Sequence, residues 1–501
     1  MHTGKLLNNV STLAIVCTQW GDTGKGKFVD YFAAEWADII ARGTGGANAG
    51  HTIMFDGKTH VFHLVPSGIL HDSAGKMNLI GSGVAFDPRI FCGELAILKQ
   101  EGLSYNNLFV ALNAKLVLPQ HLLLDRLRES RGGEGTIGTT GRGIGPVYID
   151  HVARRGLVVN DLLNTDVLYR KLKSNLEEHL PLLQAADPEV LRKILHHEHL
   201  GGGRLWHPRG LLDLDAVMAE YRLYGDEIRE LIRDTDTLLS ADVGHKKILL
   251  EGAQGNLLSI ENGTYPYVTS SDCSMRGLAR GVGLMDRHVD LTLGIVKAPF
   301  MTRVGEGPFP TELGGEKSRV WCNDPETTEA LERERYPQAT VNSPDEFLQG
   351  VGARWVGGEY GSTTRRPRRV GWLDLPLLRF SRRQMGRDLI ITKLDMADDC
   401  DVIKVCYAYE YWGPHVYHVG DWRLTPGKIL NEAVPDYDVL RYCRPLYREF
   451  QGWQQLTSVA RTIGDVPEKL GYFLDYIERE TQLRIRMLSV GPDREQTITC
   501  N

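Results

Sequence analysis

Residues Gly21-Asp22-Thr23-Gly24-Lys25-Gly26-Lys27 combine glycines, lysines and a carboxylate in one short loop. Glycines let backbone N–H groups come close to a polyphosphate, and a helix starting there adds favourable partial charge. Lys25 or Lys27 can neutralise phosphate oxygens, and Asp22 can act as a magnesium ligand or a base. The spacing is shorter than G-x-x-x-x-G-K-[ST], so the loop is a variant of that device; a tight turn with solvated lysines is the competing reading. A second loop, Gly45-Gly46-Ala47-Asn48-Ala49-Gly50-His51-Thr52, offers Asn48 as both donor and acceptor. It also offers His51 as a proton donor to a developing oxyanion.

Further groups recur along the chain. Gly138-Thr139-Thr140-Gly141-Arg142-Gly143-Ile144-Gly145-Pro146 carries hydroxyls and amides suited to a monophosphate, and Arg154-Arg155 supplies guanidinium groups for bidentate contact. In Glu251-Gly252-Ala253-Gln254-Gly255 the Gln254 amide can read a purine carbonyl and the adjacent ring nitrogen. Ser362-Thr363-Thr364-Arg365-Arg366-Pro367-Arg368-Arg369 packs four arginines into five residues; it fits a carboxylate and phosphate clamp, or a solvated basic loop. Thr392-Lys393-Leu394-Asp395 suits guanine: a carboxylate accepts from N1–H and the exocyclic amine, whereas adenine would leave the charge unpaired. His196, His197 and His199 fit a frayed helix end better than a metal cluster.

These loops need a sheet edge to bring them together. Thr12–Thr18 (TLAIVCT) is an apolar, β-branched run that leads into the first glycine loop, and FVDYFAAEWA follows with helical spacing. Strand, glycine loop and helix open a mononucleotide-binding α/β fold. Asp38–Arg42 reads as the second strand, and MFDGKTHVFHLV as a hairpin about Asp56-Gly57. Buried-strand signals return at 247–250, 291–296, 388–392 and 402–408, predicting one largely parallel or mixed sheet flanked by helices. Residues from about 105 to 245 form a helix-rich insertion, in which Asp187 caps a helix. The stretch at about 314–358 is polar and irregular, expected as a surface insertion. With no clear linker, residues 1–501 are expected to make a single domain.

The composition fits this picture. The 501 residues carry 58 Lys+Arg against 64 Asp+Glu, a net charge of -6, with 42% hydrophobic and 24% charged residues. Such a chain has ample apolar mass for a core and lacks the basic balance for general nucleic-acid or membrane-surface binding. No run approaches the ~18 apolar residues of a membrane span, and the N-terminus reads as a leader into the first strand, not a secretion signal. The eight dispersed cysteines form no C-x-x-C pair, as expected for reduced thiols in a cytoplasmic enzyme.

Together, QWGDTGKGK, GGANAGHT, GTTGRGIGP with VARRG, EGAQG with NGTYPYVTSS, TRVGEGPFPTEL, RRVGWLD, TKLD and SVGPDRE resemble the adenylosuccinate synthetase family, in the family's order and nearly end to end. The resemblance implies an α/β fold distantly like GTP-binding proteins and a homodimer. It implies a ligase joining IMP and L-aspartate through a 6-phosphoryl intermediate, with GTP as co-substrate and Mg2+ as cofactor. It casts Asp22 as the base, His51 as the acid, and Lys25 and Gln254 as further catalytic residues, with magnesium on Asp22 and the Gly50 carbonyl. GTP would meet Gly21 to Lys27, Gly50, His51, Thr52, Arg368, Lys393, Leu394, Asp395, Ser489, Val490 and Gly491. IMP would meet Asp22, Asn48, Ala49, Gly50, His51, Thr140, Gln254, Thr269 and Arg366, with Arg154 reaching across from the partner subunit. Aspartate would lie against Ser362, Thr363, Thr364, Arg366 and Arg368. The sequence departs from the family pattern at Thr23 (usually Glu), Ala47 (usually His), Arg365 (usually Gly) and Pro367 (usually Arg). The alternatives are a synthetase acting on a dGMP-type nucleotide, a branch that tends to lose the acid retained here as Asp22, and a catalytically inactive GTP-binding sensor.

Overall fold

The computed structural model describes residues 5–130, 137–187, 189–191, 212–361 and 365–500. Its central sheet is built from β1 (Thr12–Cys17), β2 (Ile39–Arg42), β3 (Met77–Ile80), β4 (Leu108–Ala111), β5 (Ile232–Arg233), β6 (Ile248–Glu251), β7 (Leu291–Lys297), β8 (Asp388–Thr392), β9 (Arg484–Ser489) and β10 (Thr497–Thr499). Their order is β10-β9-β8-β7-β1-β6-β2-β3-β4-β5. Neighbours run parallel throughout, except that β10 is antiparallel to β9. Strands β1, β2, β6 and β8 are buried at every residue, which is why they read as continuous apolar runs. Because these strands are parallel, the loops after β1, β2, β6, β7 and β8 emerge at one carboxyl edge.

Helix α1 (Lys25–Glu35) starts in the first glycine loop and buries Phe28, Val29, Phe32 and Ala33 against Leu13, Ile15, Ile40 and Leu249 of the sheet. A Cβ at Gly26 would lie 3.0 Å from the Thr52 carbonyl oxygen, so glycine lets α1 pack closely against the following hairpin. That hairpin pairs His51–Phe55 with Lys58–Phe62 through a two-residue turn in which Asp56 and Gly57 have φ of 48° and 72°, as Asp-Gly favours.

Within the helix-rich region lie α2 (Pro119–Ser130), α3 (Ile144–Val152), α4 (Thr165–Gln184) and α5 (Leu214–Ile228). Asp187 accepts from the Glu189 and Val190 N–H groups, as a cap should; the histidines at 196, 197 and 199 lie outside the described residues. The region also contributes β4 and β5 to the central sheet, strands too short to stand out by periodicity.

Two expectations need correction. Residues 314–358 are not irregular: α6 (Gly315–Asn323), α7 (Glu329–Arg335) and α8 (Glu346–Gly357) enclose a cluster of Trp321, Tyr336 and Phe347 rings. The buried Arg354–Glu332 pair stiffens them. These helices are short and their core is aromatic and widely spaced, so no amphipathic stripe appears in the sequence. The second correction concerns Val402–Tyr411, which lies outside the central sheet. It joins a smaller mixed sheet, antiparallel to Cys443–Gln451 and Lys428–Leu430 and parallel to Arg369–Asp374. All eight cysteines are unpaired.

Candidate active site

A cavity of about 1500 Å³ opens at the carboxyl edge of the central sheet. The phosphate loop and the His51 hairpin form its floor, and Thr139, Thr140 and Arg142 line another side. Arg366 and Arg368, the end of α8, and the loops at Lys393–Asp395 and Ser489–Gly491 complete the wall.

Asp22 sits on this floor with 40% of its side chain open to the cavity and a φ of 52°, in the left-handed region that a non-glycine residue occupies only when its surroundings impose it. Its Oδ2 lies 3.6 Å from Lys297 Nζ and 3.4 Å from Arg368 Nε. Burial alone would raise the carboxyl, but Lys297, then Arg368, Lys393 and Lys25, outweigh it and hold the group below the usual carboxylate range. Asp22 is therefore an ionised acceptor facing the cavity.

His51 is buried and its Nδ1 meets Glu251 Oε1. Glu251 is in turn held by the Ser67 N–H at 2.8 Å and the Ser67 hydroxyl at 2.6 Å. This fixes the ring and leaves Nε2 buried without a protein partner, on a residue that lines the cavity. Burial lowers the imidazole pKa, opposed by Glu251. A polyanion arriving beside Nε2 would favour the imidazolium again, with both N–H groups donating.

Several neighbouring side chains are committed to one another. Gln254 donates through Nε2 to Asn48 Oδ1 at 3.0 Å, and Asn48 Nδ2 reaches Thr269 Oγ1 at 3.5 Å. Lys25 Nζ donates to the Gln254 carbonyl at 2.6 Å. On the opposite side, Lys393 Nζ donates to the Gly357 carbonyl at 2.7 Å, and Asp395 Oδ1 is buried without a protein partner. Thr392 Oγ1 donates to the Thr23 carbonyl at 3.0 Å, fastening the phosphate loop to this loop.

Most of the residues singled out in the sequence gather around this cavity, including Gly21, Asp22, Gly24, Lys25, Asn48, Ala49, Gly50, His51, Thr52, Gln254, Arg366 and Arg368. Others stand apart. Lys27 lines the cavity, but its ammonium donates to Ser489 Oγ (2.8 Å) and to the carbonyls of Gly491 (2.8 Å) and Gln496 (3.0 Å). It ties down the 489–496 loop, so its charge is not directed at a phosphate. The Thr23, Leu394 and Val490 side chains are buried behind the wall. Arg154 is exposed outside the cavity, on the turn after α3. Ser362, Thr363 and Thr364 lie outside the described residues.

The expected magnesium donors are hard oxygens, the Asp22 carboxylate and the Gly50 carbonyl, both on residues that line the cavity; this donor type fits the ion. A second cluster, His121, Asp150 and His179, has metal-like proximity, but its hydrogen bonds do not fit a metal. His121 Nδ1 accepts from the Leu118 N–H at 3.0 Å, so the neutral ring carries its proton on Nε2, the atom a metal would need. That proton goes to Asp150, which also receives Asn175, His179 and Arg155. The cluster therefore braces the turn that presents Arg154.

Glu251, Lys297 and Glu359 carry much of the site's electrostatics, and motif reading missed them as functional groups. A signal for the first two was present: each is a charged residue ending an otherwise apolar buried strand, as is Arg42 at the end of β2. A charge there must face a partner or a ligand.

The chain resembles known proteins over nearly its whole length. A family model described as adenylosuccinate synthetase matches residues 14–498. The adenylosuccinate synthetase of Halothermothrix orenii is 40% identical over 486 residues, 97% of each chain, and that of Chlorobium chlorochromatii is 39% identical over 99% of this chain and 98% of its own. The fully ligated adenylosuccinate synthetase structure from Plasmodium falciparum superposes with a TM-score of 0.76 at 28% identity, covering 99% of this chain and 100% of that one. Cyanophage S-2L succinoaminodeoxyadenylate synthetase, bound to dGMP and dATP, shares the fold at a TM-score of 0.53 and 19% identity, covering 98% of this chain and 95% of that one.

Proposed function

The chain belongs to the adenylosuccinate synthetase family and is a ligase that joins IMP and L-aspartate to give adenylosuccinate; we propose that it works by phosphorylating the purine O6 from GTP, with Asp22 as the base. Oxygen leaves a purine carbon poorly, and phosphorylation turns it into a good leaving group. In this reading Asp22 takes the N1 proton of IMP, and the O6 anion attacks the γ-phosphorus as the bond to GDP breaks. His51, steadied by Glu251, donates from Nε2 to the transferring group. Lys25 offsets charge at the phosphate loop. The aspartate amine then adds at C6, loses a proton, and expels phosphate.

Asp22 and the Gly50 carbonyl would hold magnesium, which would supply charge neutralisation for the phosphates. Asn48, Thr140, Gln254, Thr269 and Arg366 would hold IMP, and Thr364, Arg366 and Arg368 the aspartate carboxylates. Lys393 and Asp395 would read guanine, with Ser489, Val490 and Gly491 closing that pocket. Arg154 would reach the IMP phosphate of a partner subunit in a homodimer, which accounts for its exposure here. Among the described residues no helix is long and apolar enough to cross a membrane, and the reading locates the enzyme in the cytoplasm.

The observation that carries this reading is the Asp22 carboxylate, flanked by Lys297 and Arg368 and facing the cavity from the first glycine loop. Its retention favours IMP over a guanine monophosphate, whose 2-amino group would crowd the carboxylate. Phosphate release from GTP is expected only when IMP and L-aspartate are both present. Release without either one would contradict a coupled ligase and favour a GTP-hydrolysing sensor. Mixing equal amounts of inactive Arg154→Leu and Asp22→Asn subunits is expected to restore about a quarter of wild-type activity, since random pairing makes half the dimers hybrids with one intact site each. No recovery in confirmed hybrids would count against a shared site.

A further inference from the structure

We infer that Lys297 and Glu359 are positioning residues for the base, a buried pair in the cavity wall that fixes where the Asp22 carboxylate points. The proposal rests on Asp22 acting as the base. Lys297 is the last residue of β7 and is 2% exposed, as is Glu359, which follows the end of α8. An ammonium has three N–H donors. Lys297 directs one to Glu359 Oε2 at 2.6 Å and one to Thr302 Oγ1 at 3.1 Å. The remaining side of the ammonium faces Asp22 Oδ2 at 3.6 Å.

Glu359 has its own fixed partners. Its backbone N–H donates to the Arg354 carbonyl at 2.9 Å, and its carbonyl accepts from the Arg368 N–H at 2.8 Å. Its second carboxylate oxygen, Oε1, lies 3.9 Å from Lys393 Nζ. The Glu359 carboxylate therefore joins the strand that faces Asp22 to the loop assigned to guanine, and its backbone holds the segment carrying Arg368. A buried lysine without a counter-charge would be costly. Glu359 balances it at a fixed point and so fixes the cation beside Asp22. Asp22 needs such a support because its own backbone is in a disfavoured region and its side chain is open to the cavity.

The test is Lys297→Ala, measured with and without added methylammonium, beside Lys297→Arg and Glu359→Gln. Lys297→Ala is expected to lower kcat roughly 10²-fold, the scale of a misplaced reacting group, with KM for GTP and IMP within about threefold. Methylammonium should recover part of kcat in Lys297→Ala and none in Asp22→Asn, a response that loss of packing alone would not give. Glu359→Gln keeps the shape and the acceptor and is expected to lower kcat about tenfold, again with little change in KM; it decides the matter if Lys297→Ala does not fold. Wild-type kcat in a folded Lys297→Ala or Glu359→Gln protein, or a loss confined to KM, would overturn the positioning role. Wild-type kcat in Asp22→Asn would instead overturn the assignment of the base.

Discussion

Asp22→Asn is expected to lower turnover roughly 10³-fold, within the range a positioned general base supplies, while GTP and IMP binding stay within a few-fold of wild type. The substitution keeps the side chain's size and removes the proton acceptor. It also leaves Lys297 and Arg368 facing a neutral amide, and that uncompensated positive charge should favour the anionic triphosphate. Steady-state kcat and equilibrium binding of both nucleotides check this; turnover near wild type would remove Asp22 from the chemistry. The same cations set the sign of the pH response. Because they hold the carboxyl below its ordinary range, Asp22 stays ionised through mildly acidic conditions. Its share of the acid-side loss of kcat/KM should therefore lie at lower pH than an unperturbed aspartate would give.

His51→Ala is expected to cost on the order of 10²–10³ in kcat, comparable to removing one donor to a developing negative charge. Removing Nδ1 takes a partner from the buried Glu251 and should also lower thermal stability, whereas Nε2 has no protein partner and its loss should appear in the chemical step of the folded variant. Glu251→Gln tests the pair differently. The amide still accepts from Ser67, but it no longer supplies the negative charge that favours a doubly protonated ring. A smaller loss, about tenfold, is expected, with the kcat profile displaced toward lower pH because the imidazolium is held less well. An unchanged profile in Glu251→Gln would show that His51 works without its carboxylate.

The parallel core and the loops at its edge were legible in the sequence because both leave local marks. β1, β2, β6 and β8 are buried on both faces and so appear as continuous apolar runs, and the glycine loops follow those strands directly. The helices α6 to α8 were not legible, since Trp321, Tyr336 and Phe347 meet only in three dimensions. Lys27 shows the same limit: its type and place suit a phosphate, but Ser489, Gly491 and Gln496, more than 460 residues away, take its donors. Glu251 and Lys297 stood in plain sight as charges ending buried strands, and only the fold reveals that they face His51 and Asp22, with Glu359 behind Lys297.

The most direct measurement is positional isotope exchange in GTP labelled with ¹⁸O in the β,γ-bridge, incubated with IMP and without aspartate. If a purine oxygen freed by Asp22 captures the γ-phosphoryl group reversibly, the label should scramble into the β-phosphate's non-bridging positions in the wild type and not in Asp22→Asn. Scrambling at the wild-type rate in Asp22→Asn would contradict the account.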